Sequence, residues 1–258
     1  KNVYLAVMRG RGEGAMPVLV RVEAGDEIRV VDLSNVAHAR VDLPGLPPRD
    51  LTRRRASRQL AITDMQYADG RLMIAGLSNE DFSSTLRAVP FPFTRADRGA
   101  AIEIYHTAHH NYETESPVRT MVPYESGGER YLLAAYTCTP LVKLRVADLK
   151  DGAHVTGETL AELGRHSSPL DMVHYRRDGR DFLLVANTQR GMLKLALDKF
   201  EDYEAVDETG GDERQIAMER VPWMKGVMQL DGFDERRAIA LFEVAGRLLG
   251  GGGDGPFG

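Results

Sequence analysis

The sequence predicts an all-β fold built from a repeated four-stranded antiparallel unit, and three observations carry that expectation. Short apolar runs recur at near-regular intervals along the 258 residues. Asp-Gly pairs separate many of these runs, and a tight hairpin needs positive φ at both turn residues. Helical periodicity is poor throughout, with one helical turn expected near Asp81 to Leu86.

The second strand of each unit sets the frame. Tyr4-Leu5-Ala6-Val7, Leu72-Met73-Ile74-Ala75, Leu132-Leu133-Ala134-Ala135, Leu183-Leu184-Val185-Ala186 and Ala238-Ile239-Ala240-Leu241 end 68, 60, 51 and 55 residues apart. A third strand follows each, at Val18 to Val22, Leu86 to Val89, Leu141 to Val146, Met192 to Leu195 and Arg247 to Leu249. The alternation in Val142-Lys143-Leu144-Arg145-Val146 predicts a strand with one solvated face. First strands precede the hairpin turns. Ile62 to Tyr67 leads to Asp69-Gly70, Arg119 to Tyr124 to Gly127-Gly128, Asp171 to Tyr175 to Asp178-Gly179, and Gly226 to Leu230 to Asp231-Gly232. Fourth strands are expected at Ala101 to Tyr105, Val155 to Leu163 and Gln215 to Glu219.

Four antiparallel strands every 50–60 residues, roughly, is the rhythm of β-propeller blades. The expected organisation is one propeller domain over 1–258, with blades at about 1–50, 58–106, 117–164, 169–220 and 223–258. The first and last blades are incomplete, so the chain reads as part of a larger, seven-bladed propeller. The pattern resembles the seven-bladed propellers of the YVTN and quinoprotein amine dehydrogenase-like group, and more loosely the NHL group. The resemblance rests on blade rhythm and Asp-Gly hairpins. It implies the fold and a periplasmic or secreted setting, and it carries over no catalytic residue.

Composition excludes several classes. The chain is 43% hydrophobic and 28% charged, which suits a packed core. A net charge of −5 does not point to nucleic acid. No apolar run approaches a membrane span. Cys138 is the only cysteine, so no intrachain disulfide forms, and it reads as an inert small side chain. Arg53-Arg54-Arg55 with Arg58 reads as a solvated loop. The chain begins at Lys1 and is read as a processed or truncated product. Phosphate-loop, zincin, nucleophile-elbow and paired Cys-x-x-Cys motifs are absent. Gly10 to Gly14 is read as a hairpin tip.

Candidate chemistry gathers on one set of loops, at the mouth of the expected central channel. His106, His109 and His110 fall within five residues of one another, followed by Glu113 and Glu115. Imidazoles with a carboxylate suit copper or zinc, whereas polar loop histidines that bond the backbone are the plainer reading. The starts of the inner strands place Asp64, Arg119, Asp171 and Lys225 around the mouth, either gripping a ligand or forming salt bridges between blades. Asn187 joins them from a loop between second and third strands. His166 lies in the equivalent loop one unit on and is a candidate to extend the histidine set, His174 is read as packed in a strand, and Trp223 as a packing residue between blades.

Two functions from different classes fit these residues. One is an extracytoplasmic binding or scaffold module offering its loop face to a small molecule or a protein partner. The other is a metal-dependent enzyme, a copper- or zinc-type oxidoreductase. In that case His106, His109 and His110 are ligands, and Arg119 or Asp171 orients the substrate.

Overall fold

The structure is a computed structural model that describes residues 2–25, 27–48, 58–137, 139–164, 166–198, 200–209, 215–234, 237–244 and 247–252. Cys138 and the Arg53 to Arg55 cluster lie outside the described residues. Among the described residues the chain is all-β, with nineteen strands, short 3-10 turns and no α-helix. No described helix is long and apolar enough to cross a membrane.

The chain falls into two compact units, Lys1–Arg40 and Val41–Gly258. In the first, β1 (Val3–Arg9), β2 (Met16–Val22) and β3 (Ile28–Val30) form a three-stranded meander. The glycine-rich stretch is the tip of the β1–β2 hairpin, closed by a 3-10 turn at Gly12–Gly14.

The second unit opens with two four-stranded meanders. The first is β4 (Asp64–Ala68), β5 (Arg71–Leu77), β6 (Ser84–Pro90) and β7 (Ala100–His106). After a short β8 (Asn111–Glu113) comes the second, β9 (Val118–Ser126), β10 (Glu129–Tyr136), β11 (Pro140–Arg145) and β12 (His154–Glu162). The two join into one nine-stranded sheet, because the fourth strands β7 and β12 pair in parallel over Ala101–Ile104 and His154–Gly157. Gly157, at the end of that pairing, makes room for β11: a Cβ there would sit 2.4 Å from the Val142 side chain. The terminal strands of the order, β4 and β9, also meet, through a 2.6 Å bond from the Met121 N–H to Asp64 Oδ2. The sheet is therefore nearly closed and barrel-like.

A third meander follows: β13 (Pro169–Arg177), β14 (Arg180–Asn187), β15 (Gly191–Ala196) and β16 (Met218–Val221). The last sheet is β17 (Val227–Gly232), β18 (Ala238–Val244) and β19 (Arg247–Gly252).

Turn chemistry explains the registers. Asp69-Gly70, Gly127-Gly128 and Asp178-Gly179 all have positive φ at both residues, as two-residue hairpin turns demand. Asp231-Gly232 does not form the fourth such turn. Both residues pair within the β17–β18 ladder, and the reversal falls beyond them, where the Phe233 N–H reaches the Arg237 carbonyl. The stretch from Asp81 is a bend that enters β6 at Ser84, so the helical turn expected there is absent. As a strand bordering β7, this segment lets Thr85 Oγ1 donate to the Ala100 carbonyl at 3.0 Å.

The second strands β5, β10 and β14 are buried on both faces after their first residues, because each has a ladder on either side and a sheet packed over it. Leu132, Leu133, Leu183 and Val185 are fully enclosed in one core shared by the three meanders. A smaller core of Leu184, Met192, Val227 and Leu230 joins the third meander to the last sheet.

Two packing expectations need correction. Lys143 does not sit on a solvated face. It is 7% exposed, its Nζ lies 2.6 Å from Glu158 Oε2, and it covers the Phe200 ring at 5.2 Å. A long aliphatic stem lets a lysine bury its chain while its charge finds a partner. Lys194 repeats the arrangement with Glu219 and Phe182. Trp223 is 61% exposed and so is not a packing residue between sheets.

Candidate functional site

The histidine-rich stretch is a folded-back ribbon. After β7, a 3-10 turn at Thr107–His109 and a left-handed His110 (φ 52°) reverse the chain into β8. The register pairs Ile104 with Glu113 and His106 with Asn111. Residues 104 and 106 share a strand face, so Glu113 and His106 become diagonal neighbours. Tyr105 and Tyr112 pair on the other face, with ring centroids 5.2 Å apart.

The ribbon brings His106, His109 and Glu113 together. His106 is 1% exposed, and its Nδ1 lies 3.0 Å from Glu113 Oε1. His109 Nδ1 meets the same oxygen from the solvent side. Ser116 donates to Glu113 Oε2 at 2.7 Å. Burial alone raises the Glu113 pKa, but the hydrogen bonds from His109, Ser116 and His106 outweigh it and hold the carboxyl down at about 2.

The second meander reaches the cluster from the far side. Thr139 Oγ1 lies 3.3 Å from His106 Nε2 and donates to Glu162 Oε2. Glu162 Oε1 accepts the Thr107 N–H at 2.9 Å. Thr139 holds φ at 122°, a region that a β-branched residue rarely enters, and such strain gathers at functional sites. His110 is exposed at the turn and takes no part in the group, so the structure replaces it with Glu113. His166 is exposed in its own left-handed turn and does not join either. His174 stays in its strand, bonded to Asp181 at 2.9 Å and edge-on to Tyr124.

At the starts of the first strands the polar residues serve the backbone. Asp64, Thr120, Asp171 and Gln229 hold one register position, each facing the last residue of an apolar run: Ala75, Ala135, Ala186 and Leu241. Asp64 accepts the N–H groups of Met65 and, on the next first strand, Met121, at 2.8 and 2.6 Å. Asp171 does the same for Met172 and Leu230, both at 2.8 Å, and also accepts from Thr120 at 3.2 Å. Burial pushes Asp64 up to about 6 against these two amide bonds, and raises Asp171 likewise. Arg119 and Lys225 are exposed and stand off this register, with Thr120 and Gln229 in the places expected of them.

Lys225 belongs to a different feature. A groove of about 920 Å³ runs between the third meander and the last sheet, lined by Asn187, Arg190, Arg220, Lys225 and Glu243 among others. Asn187 shapes its rim. The backbone N–H groups of Gln189 and Arg190 both reach Asn187 Oδ1 at 3.3 Å, and Ser167 Oγ donates there too. Three donors on one atom identify it as the oxygen, so the buried Nδ2 is the donor left without a partner. Arg190 lies across Gly164, where a Cβ would collide with its guanidinium, and the Lys225 stem passes over Gly191. Among the described residues, Arg190, Arg220 and Lys225 make no ion pair and Glu243 is the one carboxylate on the lining.

Comparison of the sequence with protein-family models and with curated proteins gave no match.

Proposed function

We propose that the chain is a binding module of β-propeller type whose groove beside Asn187 and Lys225 holds an anionic group of a small molecule or a partner. The propeller reading rests on the repeated meander, on the shared register of Asp64, Thr120, Asp171 and Gln229, and on amide bonds linking successive first strands. In that reading the chain supplies five blades of a larger propeller, and its setting is periplasmic or extracellular. The groove lies among loops that leave second and fourth strands, the side where the sequence places its ligand face.

One observation carries the binding reading. Arg190, Arg220 and Lys225 line a cavity on which Glu243 is the one carboxylate among the described residues. Cations without partners at a concave surface attract anions, and each charge-assisted bond contributes about 1.5–3 kcal/mol. Calorimetric titration with inorganic phosphate, pyrophosphate and citrate tests it. Saturable binding of at least one probe is expected, weakened by about tenfold or more in Lys225→Glu. Absence of heat with all three probes, or equal binding by the variant, overturns the reading.

A further inference from the structure

We infer that His106, His109 and Glu113 form a site for one borderline transition-metal ion of the zinc class, seated where the β7–β8 ribbon meets the second meander. This site stands apart from the anion groove, and neither depends on the other.

The donor geometry comes first. One ligand atom from each residue lies within 4.8 Å of the others. His106 Nδ1 and His109 Nδ1 approach the same carboxylate oxygen, His106 at 3.0 Å. Donors about 2.0–2.2 Å from a tetrahedral ion lie roughly 3.3 Å from one another, so the three groups need little movement to share one. Two imidazoles and one carboxylate leave a fourth position open. That position falls on the side of His109, whose side chain is 52% exposed.

The surroundings of His106 supply the second argument. The Thr139 hydroxyl donates to Glu162 Oε2, so its oxygen faces His106 Nε2, 3.3 Å away, as an acceptor. That leaves Nδ1, 3.0 Å from Glu113 Oε1 at a side chain only 2% exposed, as the ring nitrogen turned toward the carboxylate oxygen that His109 also meets.

The supporting contacts have the form of a metal site's outer layer. A ligating histidine usually gives its other N–H to an oxygen, which fixes tautomer and ring orientation. Here Thr139, backed by Glu162, receives it. Glu113 is steadied by Ser116, and Glu162 is anchored by the Thr107 N–H. The strained φ of Thr139 is explained by this duty. Thr139 and Glu162 belong to the second meander, so the outer contacts of the site reach across to β7 and the ribbon after it.

Zinc titration of the chelator-treated chain, by calorimetry, is the test. One ion per chain is expected to bind at micromolar concentration or tighter. His109→Ala removes an exposed ligand without disturbing the core and is expected to weaken binding by about tenfold or more. Thr139→Val leaves all three ligands in place and is expected to weaken it by about tenfold through the loosened histidine. His110→Ala is expected to bind as the wild type does. Cobalt substitution adds a spectroscopic signature: visible bands in the wild type that His109→Ala loses. If no saturable binding occurs at micromolar zinc, a proton rather than a metal sits between His106 and Glu113 and the inference is wrong. Equal affinity in His109→Ala, or a loss in His110→Ala, overturns the ligand assignment.

Discussion

Two polar clusters in this protein hold carboxylates against neighbouring strands, and they use them in opposite ways. On the first strands, Asp64 and Asp171 give their lone pairs to backbone N–H groups on their own strand and the next. At the end of β7, Glu113 gives its lone pairs to two imidazoles and a hydroxyl. The chemistry diverges with the partners. Burial wins on Asp64 and lifts it to about 6, whereas the donors win on Glu113 and hold it at about 2. A carboxylate bonded to amides cannot leave without orphaning buried backbone donors. One bonded to side chains on a surface ribbon can trade those bonds for a ligand. The first cluster holds the fold, and the second is the one proposed above as a ligand site.

The largest expected effect follows from that contrast. Asp171→Ala leaves the Met172 and Leu230 N–H groups without their acceptor and should cost about 3 kcal/mol of stability. Glu113→Gln keeps the ribbon shape and should cost about 1 kcal/mol. Urea unfolding of both variants measures the gap, and equal losses would erase the distinction between the clusters.

The next effect is a pH dependence carried by Asp64. Its carboxyl is raised in the folded state above the ordinary value of 3.8, to about 6. The folded chain therefore binds that proton more tightly than the unfolded chain. The stability it contributes is present below about pH 4 and is lost as pH rises through about 6. Asp64→Asn mimics the protonated form, so its unfolding midpoint should be flatter across that window. A wild-type curve no steeper than the variant's there would mean that the amide bonds, and not burial, dominate at Asp64.

Smaller still is the effect of Lys225→Glu on stability, expected within about 0.5 kcal/mol because the side chain is exposed and unpaired. A larger loss would make Lys225 a structural residue. His110→Ala should change stability least of all, since the side chain is exposed at a turn. His110 sits at φ 52°, so a small gain or loss from the backbone bounds the result.

What could be read from the sequence follows the strength of local chemistry. Asp69-Gly70 and Asp178-Gly179 announced their turns because few residue pairs accept positive φ twice. Asp231-Gly232 did not, because the ladder continued through it. Thr120 was overlooked for the charged Arg119 beside it. Counting back seven residues from Gly127 and from Asp178 pairs Thr120 with Asp171 and would have found it. Glu113 was seen only as a carboxylate near histidines. The signal lay in Ile104-Tyr105-His106 facing Asn111-Tyr112-Glu113 across a four-residue reversal, which a short ribbon brings into register. The parallel seam between β7 and β12 left no trace in the sequence, because it depends on two distant strands approaching each other. The groove cations were unreadable for a related reason. Arg190 and Arg220 differ from many other surface arginines only in lacking partners, which tertiary structure alone decides.

The contrast between the clusters is tested most directly by the thermal unfolding midpoint of wild type and His109→Ala, each with and without zinc. The two proteins should unfold at nearly the same temperature without metal, and only the wild type should rise when zinc is added. A drop in His109→Ala without metal, or a zinc-induced rise retained by it, would contradict the assignment of that cluster to a ligand.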